Sequence, residues 1–85
     1  MDRLLLVEDD STLIRILTSF LNSENFEVTS ATGQCAAVAA MEENAPDLAL
    51  VDISLADGNV FAVCSHAKEL DVPVIFLTAS GDEYS

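Results

Sequence analysis

Positive charge is what this 85-residue chain has least of: three Lys and Arg stand against fifteen Asp and Glu, a formal net charge of −12. A surface so acidic repels phosphate backbones and anionic headgroups, which excludes direct nucleic-acid binding by this chain and docking on acidic membranes. Long hydrophobic runs are also missing. None approaches the ~20 residues needed to cross a bilayer, and no basic n-region followed by an apolar h-region opens the chain. A cytoplasmic location is expected. Cysteine is scarce too, with only Cys35 and Cys64. They lack CxxC spacing and a secretory context, so two reduced, partly buried small residues are expected rather than a disulfide or a metal site. Neither a low-complexity linker, nor an internal repeat, nor a break in composition divides the chain, so residues 1–85 read as one small domain.

What is present is apolar side chain, 51% of the residues, enough for a globular core despite the charge. A chain of this size buries only roughly 60–65% of the surface its unfolded form exposes, so stability is expected to be marginal. Strand and helix periods alternate in the order β-α-β-α-β-α-β. Arg3 to Val7 is a strand, after which Ser11 offers a capping oxygen to a helix whose Leu13, Ile14, Leu17, Phe20 and Leu21 form one stripe with a buried face. Asn22 to Asn25 reads as a turn. Phe26 to Ala31 alternates as a strand at a sheet edge does. Gln34 to Glu43 is an alanine-rich helix with Ala37, Val38, Ala40 and Met41 on a shallow apolar face, ended by Pro46. Leu48 to Val51 is continuously apolar, as a central strand buried on both faces would be. Asn59 to Leu70 is a third helix with Val60, Phe61, Val63, Cys64 and Ala67 inward, and Pro73 opens a strand from Val74 to Leu77. Helices between successive strands, joined by short connections, predict right-handed parallel crossovers and an α/β doubly wound sheet.

Each of three apolar strands runs directly into a polar group: Leu4 to Val7 into Glu8, Asp9 and Asp10, Leu48 to Val51 into Asp52, and Val74 to Leu77 into Thr78. Parallel strands would gather these groups in the crevice at their carboxyl ends, where open α/β sheets bind ligands. With neighbouring strands about 4.8 Å apart, Asp9 and Asp52 come within ligand-sharing distance. Two carboxylates about 4 Å apart repel by roughly 4 kcal/mol at an effective dielectric near 20. A shared proton would offset that, but at neutral pH Mg2+ held by carboxylates, a backbone carbonyl and waters suits a shallow oxygen-rich site better. A carboxylate beside such a cation can attack phosphorus and form an aspartyl-phosphate. Asp52 is the candidate nucleophile, and the Thr78 hydroxyl a candidate donor to a phosphoryl oxygen.

Blander roles stand beside these. Glu8 and Asp10 also suit solvated charges that favour a helix N-terminus. A threonine ending a strand is ordinary, Asp57 and Gly58 are turn residues, and His66 reads as a surface or half-buried side chain. Glu42, Glu43, Glu69 and Asp71 read as solvated faces.

The segments LLLVEDD, PDLALVDISLADG and VPVIFLTAS, in that order, resemble the receiver domain of bacterial two-component response regulators. The resemblance implies a flavodoxin-like receiver fold in which Glu8 and Asp9 are the acidic pair for Mg2+, with Asp9 a direct ligand. It further implies Asp52 as phosphoacceptor and metal ligand, the Ser54 carbonyl as main-chain metal ligand, Thr78 as the hydroxyl switch with Ala79 after it, and a sensor histidine kinase as phosphodonor. Two residues depart from the family pattern: Ala56 stands where proline is usual and Val60 where glycine is common, so a looser loop after Asp52 is expected. A receiver also runs to roughly 120 residues. Against that length the chain reads as C-terminally truncated, without the fifth strand, its lysine and the last two helices. Weakened phosphorylation and self-association through an exposed sheet edge are therefore expected. Two other classes compete with the phosphoacceptor: a non-switching association module, and a Mg2+-dependent phosphohydrolase, against which Ser54 counts because a second acid would be needed there.

Overall fold

The computed structural model describes residues 2–53 and 60–77. Four strands alternate with three helices: β1 (Asp2–Val7), α1 (Ser11–Ser23), β2 (Phe26–Ala31), α2 (Gln34–Glu43), β3 (Leu48–Asp52), α3 (Val60–Glu69) and β4 (Val74–Leu77). The strands pair in parallel in the order β2-β1-β3-β4. From β1 the chain steps to one side to reach β2 and then to the other side for β3 and β4. Right-handed crossovers in opposite directions put α1 on one face and α2 and α3 on the other, which is the doubly wound arrangement. The direction reverses between β1 and β3, and the crevice beyond their carboxyl ends is a topological switch point.

Side-chain alternation divides the core between the two faces. Leu5, Val7, Ala49 and Val51 join Ala31, Ala37, Met41, Val63, Ala67 and Val72 in one cluster on the side of α2 and α3. Ala37, Met41, Val63 and Ala67 are the positions at which α2 and α3 are fully buried, and small residues at Ala37 and Ala67 let the helices approach the sheet closely. Leu4 and Leu6 are buried on the opposite face. There α1 packs chiefly against β2. Leu48 and Leu50, the register partners of Leu4 and Leu6, remain half-buried, and Ile75 beside Leu50 is 51% exposed. The strand fully buried along its apolar run is β1, from Leu4 to Val7; β3 is fully buried on one face and half-buried at Leu48 and Leu50 on the other, short of the expectation from its unbroken hydrophobicity.

Three further expectations change. The N-cap of α1 is Asp10, not Ser11: Asp10 Oδ1 accepts the N–H of Thr12 (2.9 Å) and of Leu13 (3.2 Å), and Ser11 is the first helical residue. An aspartate caps as well as a serine, and Asp10 has the extended backbone a cap requires. The α1 stripe has no fully buried residue, with Phe20 60% exposed, because the helix packs chiefly over the β2 side of the sheet. Phe61, placed inward by periodicity, is 78% exposed, while Val63 and Ala67 make the contact. Cys35 is exposed and Cys64 intermediate, both free thiols.

Local turns follow elementary rules. Asn25 adopts φ 71°, the left-handed region that asparagine tolerates better than most residues, and its N–H bonds to the Asn22 carbonyl as the chain leaves α1 for β2. At the opposite end of the sheet two bonds join Arg3 and Asp47: the Arg3 N–H donates to the side-chain oxygen Asp47 Oδ2 (2.8 Å) and the Asp47 N–H to the Arg3 carbonyl (2.8 Å). The Arg3 guanidinium meets Asn44 Oδ1 and the Ala45 carbonyl. These bonds fasten the start of β3 against β1 and set the register that aligns the carboxyl ends.

Candidate metal centre

The register continues past the strands. Val7 pairs with Val51, so one further step sets Glu8 beside Asp52. The Glu8 N–H still bonds to the Ala31 carbonyl (3.0 Å), which keeps the chain in the sheet as the carboxylate enters the crevice. On the other side of Asp52, the Ile53 N–H donates to the Leu77 carbonyl (3.1 Å) and holds the end of β3 to β4. Asp52 therefore belongs to a rigid element paired on both sides.

Glu8, Asp9 and Asp52 converge, each offering a carboxylate oxygen, with all three atoms within 4.8 Å of one another. Glu8 and Asp52 are each only 2% exposed, whereas Asp9 is exposed at the rim. Glu8 Oε1 accepts the N–H groups of Asp9 (3.0 Å) and Asp10 (3.2 Å). Glu8 Oε2 is buried and no donor among the described residues reaches it. Its neighbour is the Asp52 carboxyl, and two carboxylates hydrogen-bond only when they share a proton. Burial pushes the Glu8 carboxyl up to about 7, aided by the side-chain bond to Asp52 and by the Asp52 charge, against the pull of the two backbone N–H groups.

Charges of like sign about 5 Å apart repel by about 3 kcal/mol per pair at an effective dielectric near 20. A cation is the alternative to the proton. The donors are hard oxygens, and the octahedral shell of Mg2+, with Mg–O near 2.1 Å, sets neighbouring ligands about 3 Å apart and opposite ones about 4 Å apart, within the span of this trio. Glu8 Oε2, buried and without a hydrogen-bond partner among the described residues, belongs to one of these three carboxylates. These residues fit a small hard divalent cation.

Of the site residues expected from sequence, Glu8, Asp9 and Asp52 come together here; Ser54 and Thr78 lie outside the described residues, as do Ala56, Asp57, Gly58 and Ala79. Sequence reasoning did not separate Glu8, the buried member, from Asp9, the exposed one. No local signal separated them, because alternation in a strand buried on both faces does not distinguish one parity from the other. His66 lies away from the cluster on α3, half-buried, with Nε2 3.4 Å from Glu42 Oε2 on α2.

Residues 4–85 match the family model described as the response regulator receiver domain. The chain is 34% identical over 84 residues to the transcriptional regulatory protein GltR of Pseudomonas aeruginosa, covering 94% of this chain and 35% of that protein. It is 36% identical over 81 residues to the DNA-binding response regulator MtrA of Mycobacterium tuberculosis, covering 94% of this chain and 36% of that protein. The chain thus spans about a third of the length of these curated relatives. Among solved structures it superposes on the non-phosphorylated HemR receiver domain of Leptospira biflexa with TM-score 0.83 at 36% identity, over 99% of this chain and 71% of that one. The PhyR receiver domain of Erythrobacter litoralis gives TM-score 0.80 at 30% identity, over 96% and 66% of the two chains. Fold, sequence and family match agree, and the chain belongs to the receiver domain family of two-component response regulators.

Proposed function

We propose that this receiver acts as a phosphoacceptor, with Asp52 as the nucleophile and a sensor histidine kinase as the donor. An Asp52 carboxylate oxygen attacks phosphorus, the bond from phosphorus to the donor's imidazole nitrogen breaks, and that nitrogen keeps the electron pair. Glu8, Asp9, Asp52 and the Ser54 carbonyl would hold Mg2+, with Thr78 donating its hydroxyl to a phosphoryl oxygen. When bound, the cation supplies positive charge to the phosphoryl oxygens during transfer. Asp52 is anchored at the end of a paired strand, so its backbone is held in place for the transfer. Burial also limits attack of water on the acyl phosphate formed. We place the exchange in the cytoplasm; no helix among the described residues is long and apolar enough to cross a membrane. The role is that of a signalling module rather than of an enzyme turning over a free substrate.

One observation carries this reading: a nearly buried aspartate at the switch point, within 4.8 Å of two other carboxylates that would otherwise repel it. The test is incubation with acetyl phosphate and Mg2+ followed by intact-mass measurement. A single added phosphoryl group, absent from Asp52→Asn and after chelation of Mg2+, is the expected result. Labelling that persists in Asp52→Asn overturns the assignment.

A second reading, an association module, has its own support in the apolar surface at the edge strand. Ile75 and Phe76 point to opposite faces of β4 and are 51% and 49% exposed. Pairing of this edge with another copy would extend the sheet and set a partner side chain beside each of them.

A further inference from the structure

Asp10 stands next to the carboxylate trio without belonging to it. Its side chain is engaged with α1, where Oδ1 accepts the N–H groups of Thr12 (2.9 Å) and Leu13 (3.2 Å), while its carbonyl accepts the N–H of Ile14 (2.9 Å). Its own N–H reaches back to Glu8 Oε1 (3.2 Å), the oxygen that also accepts the Asp9 N–H (3.0 Å). Asp10 is therefore tied forward to the first turn of a helix and backward to the buried carboxylate. Asp9 lies between these attachments, at an exposed position outside both strand and helix, so the direction of its backbone is set by its neighbours.

We infer that Asp10 is a positioning residue for the cation site: by capping α1 it holds the short link from Glu8 to Ser11 in the one path that brings the Asp9 carboxylate within reach of Glu8 and Asp52. The inference rests on the cation reading of that trio. Losing the cap frees the link to sample other paths, and cation affinity falls by the fraction of molecules still in the competent one. The geometry of the side-chain oxygen is what matters, not the charge of Asp10. An exposed carboxylate near a cation would by contrast act through its charge alone, and the two roles predict opposite orders among variants.

The test is the Mg2+ dissociation constant of the parent chain and of Asp10→Asn, Asp10→Glu and Asp10→Gly, measured by calorimetric titration, with a thermal melt of each. Asparagine keeps the cap and removes the charge; glutamate keeps the charge and loses the cap geometry. Glycine loses the side-chain bonds yet is tolerated at the cap position, so that variant stays folded. We expect Asp10→Asn to match the parent, Asp10→Glu to bind about fivefold more weakly, the scale of one lost side-chain cap, and Asp10→Gly about twofold more weakly. A parent-like Asp10→Glu with a weakened Asp10→Asn overturns the inference in favour of a charge effect, and so does a set of three parent-like constants. Absence of Mg2+ binding in the parent overturns the cation reading itself, and this inference with it.

Discussion

Glu8 carries the cost of the acidic crevice. Its carboxyl is buried with one oxygen satisfied by two backbone N–H groups and the other, among the described residues, facing only a neighbouring acid. The folded value near 7 stands above the ordinary 4.5, so the metal-free fold favours protonated Glu8. The stabilisation from that proton is complete below about pH 4.5 and is lost as pH rises through about 7. Without divalent cations, the melting temperature of the parent should therefore fall between those limits relative to Glu8→Gln, which carries no titrating group there. On the proposed cation reading, Mg2+ competes with the proton for the same oxygens, so its stabilising effect should grow across the same interval. Melts at a series of pH values, with chelator and with Mg2+, check both signs. A parent and Glu8→Gln that run parallel throughout would dispose of the coupling.

At the scale of elements, the site depends on how closely α2 and α3 approach the sheet and on where turns reverse the chain. Ala37 is fully buried where α2 meets the core. Ala37→Leu forces three extra carbons into that contact and should destabilise the fold by about 1–3 kcal/mol. Asn25, at φ 71° between α1 and β2, tests a different principle. Asn25→Gly should be neutral or slightly stabilising in this conformation, while Asn25→Val should cost about 1–2 kcal/mol, because a β-branched side chain clashes there. For a domain of this size each kcal/mol moves the melting temperature by roughly 4–8 °C, which is resolvable by circular dichroism. Equal losses in the two Asn25 variants would show that the turn is held by side-chain contacts rather than by backbone preference.

Over the whole molecule, large apolar side chains remain open on α1 and on β4: Ile16 at 55%, Phe20 at 60%, Ile75 at 51% and Phe76 at 49%. The acidic surface opposes association at long range, and salt screens that repulsion over a Debye length near 8 Å at physiological ionic strength. The apparent mass of the isolated chain in light scattering should therefore rise with concentration, and more steeply at higher salt. Phe76→Lys, placing a charge on the edge strand, should reduce that rise if β4 is the contact. A mass that stays monomeric at every concentration and salt, or a Phe76→Lys variant that associates as strongly as the parent, removes the β4 edge from consideration.

Much of this architecture was legible in the residues because its causes are local. The Gln34 to Glu43 helix, the strands ending at Val7 and Ala31 and the gathering of acids at strand ends follow from period, from Pro46 and Pro73 as breakers, and from the direct passage of apolar runs into carboxylates. Period put Phe20 and Phe61 inside, and an unbroken apolar run made β3 a doubly buried strand; the structure leaves both rings exposed and one face of β3 half-buried at Leu48 and Leu50. A helix stripe states which residues would be buried if something covered them, and only the placement of α1 over β2 decides what is covered. The cap of α1 lay between two adjacent residues of equal capping ability, a choice settled by backbone conformation at Asp10. By itself, then, the sequence determined the alternation of elements, the parallel sheet and the acids at its carboxyl ends, because periodicity and chain connectivity are properties of neighbouring residues. Tertiary structure alone decided that Glu8 is buried against Asp52 while Asp9 stays at the rim, since burial and carboxylate repulsion depend on residues far apart in the chain meeting in one register.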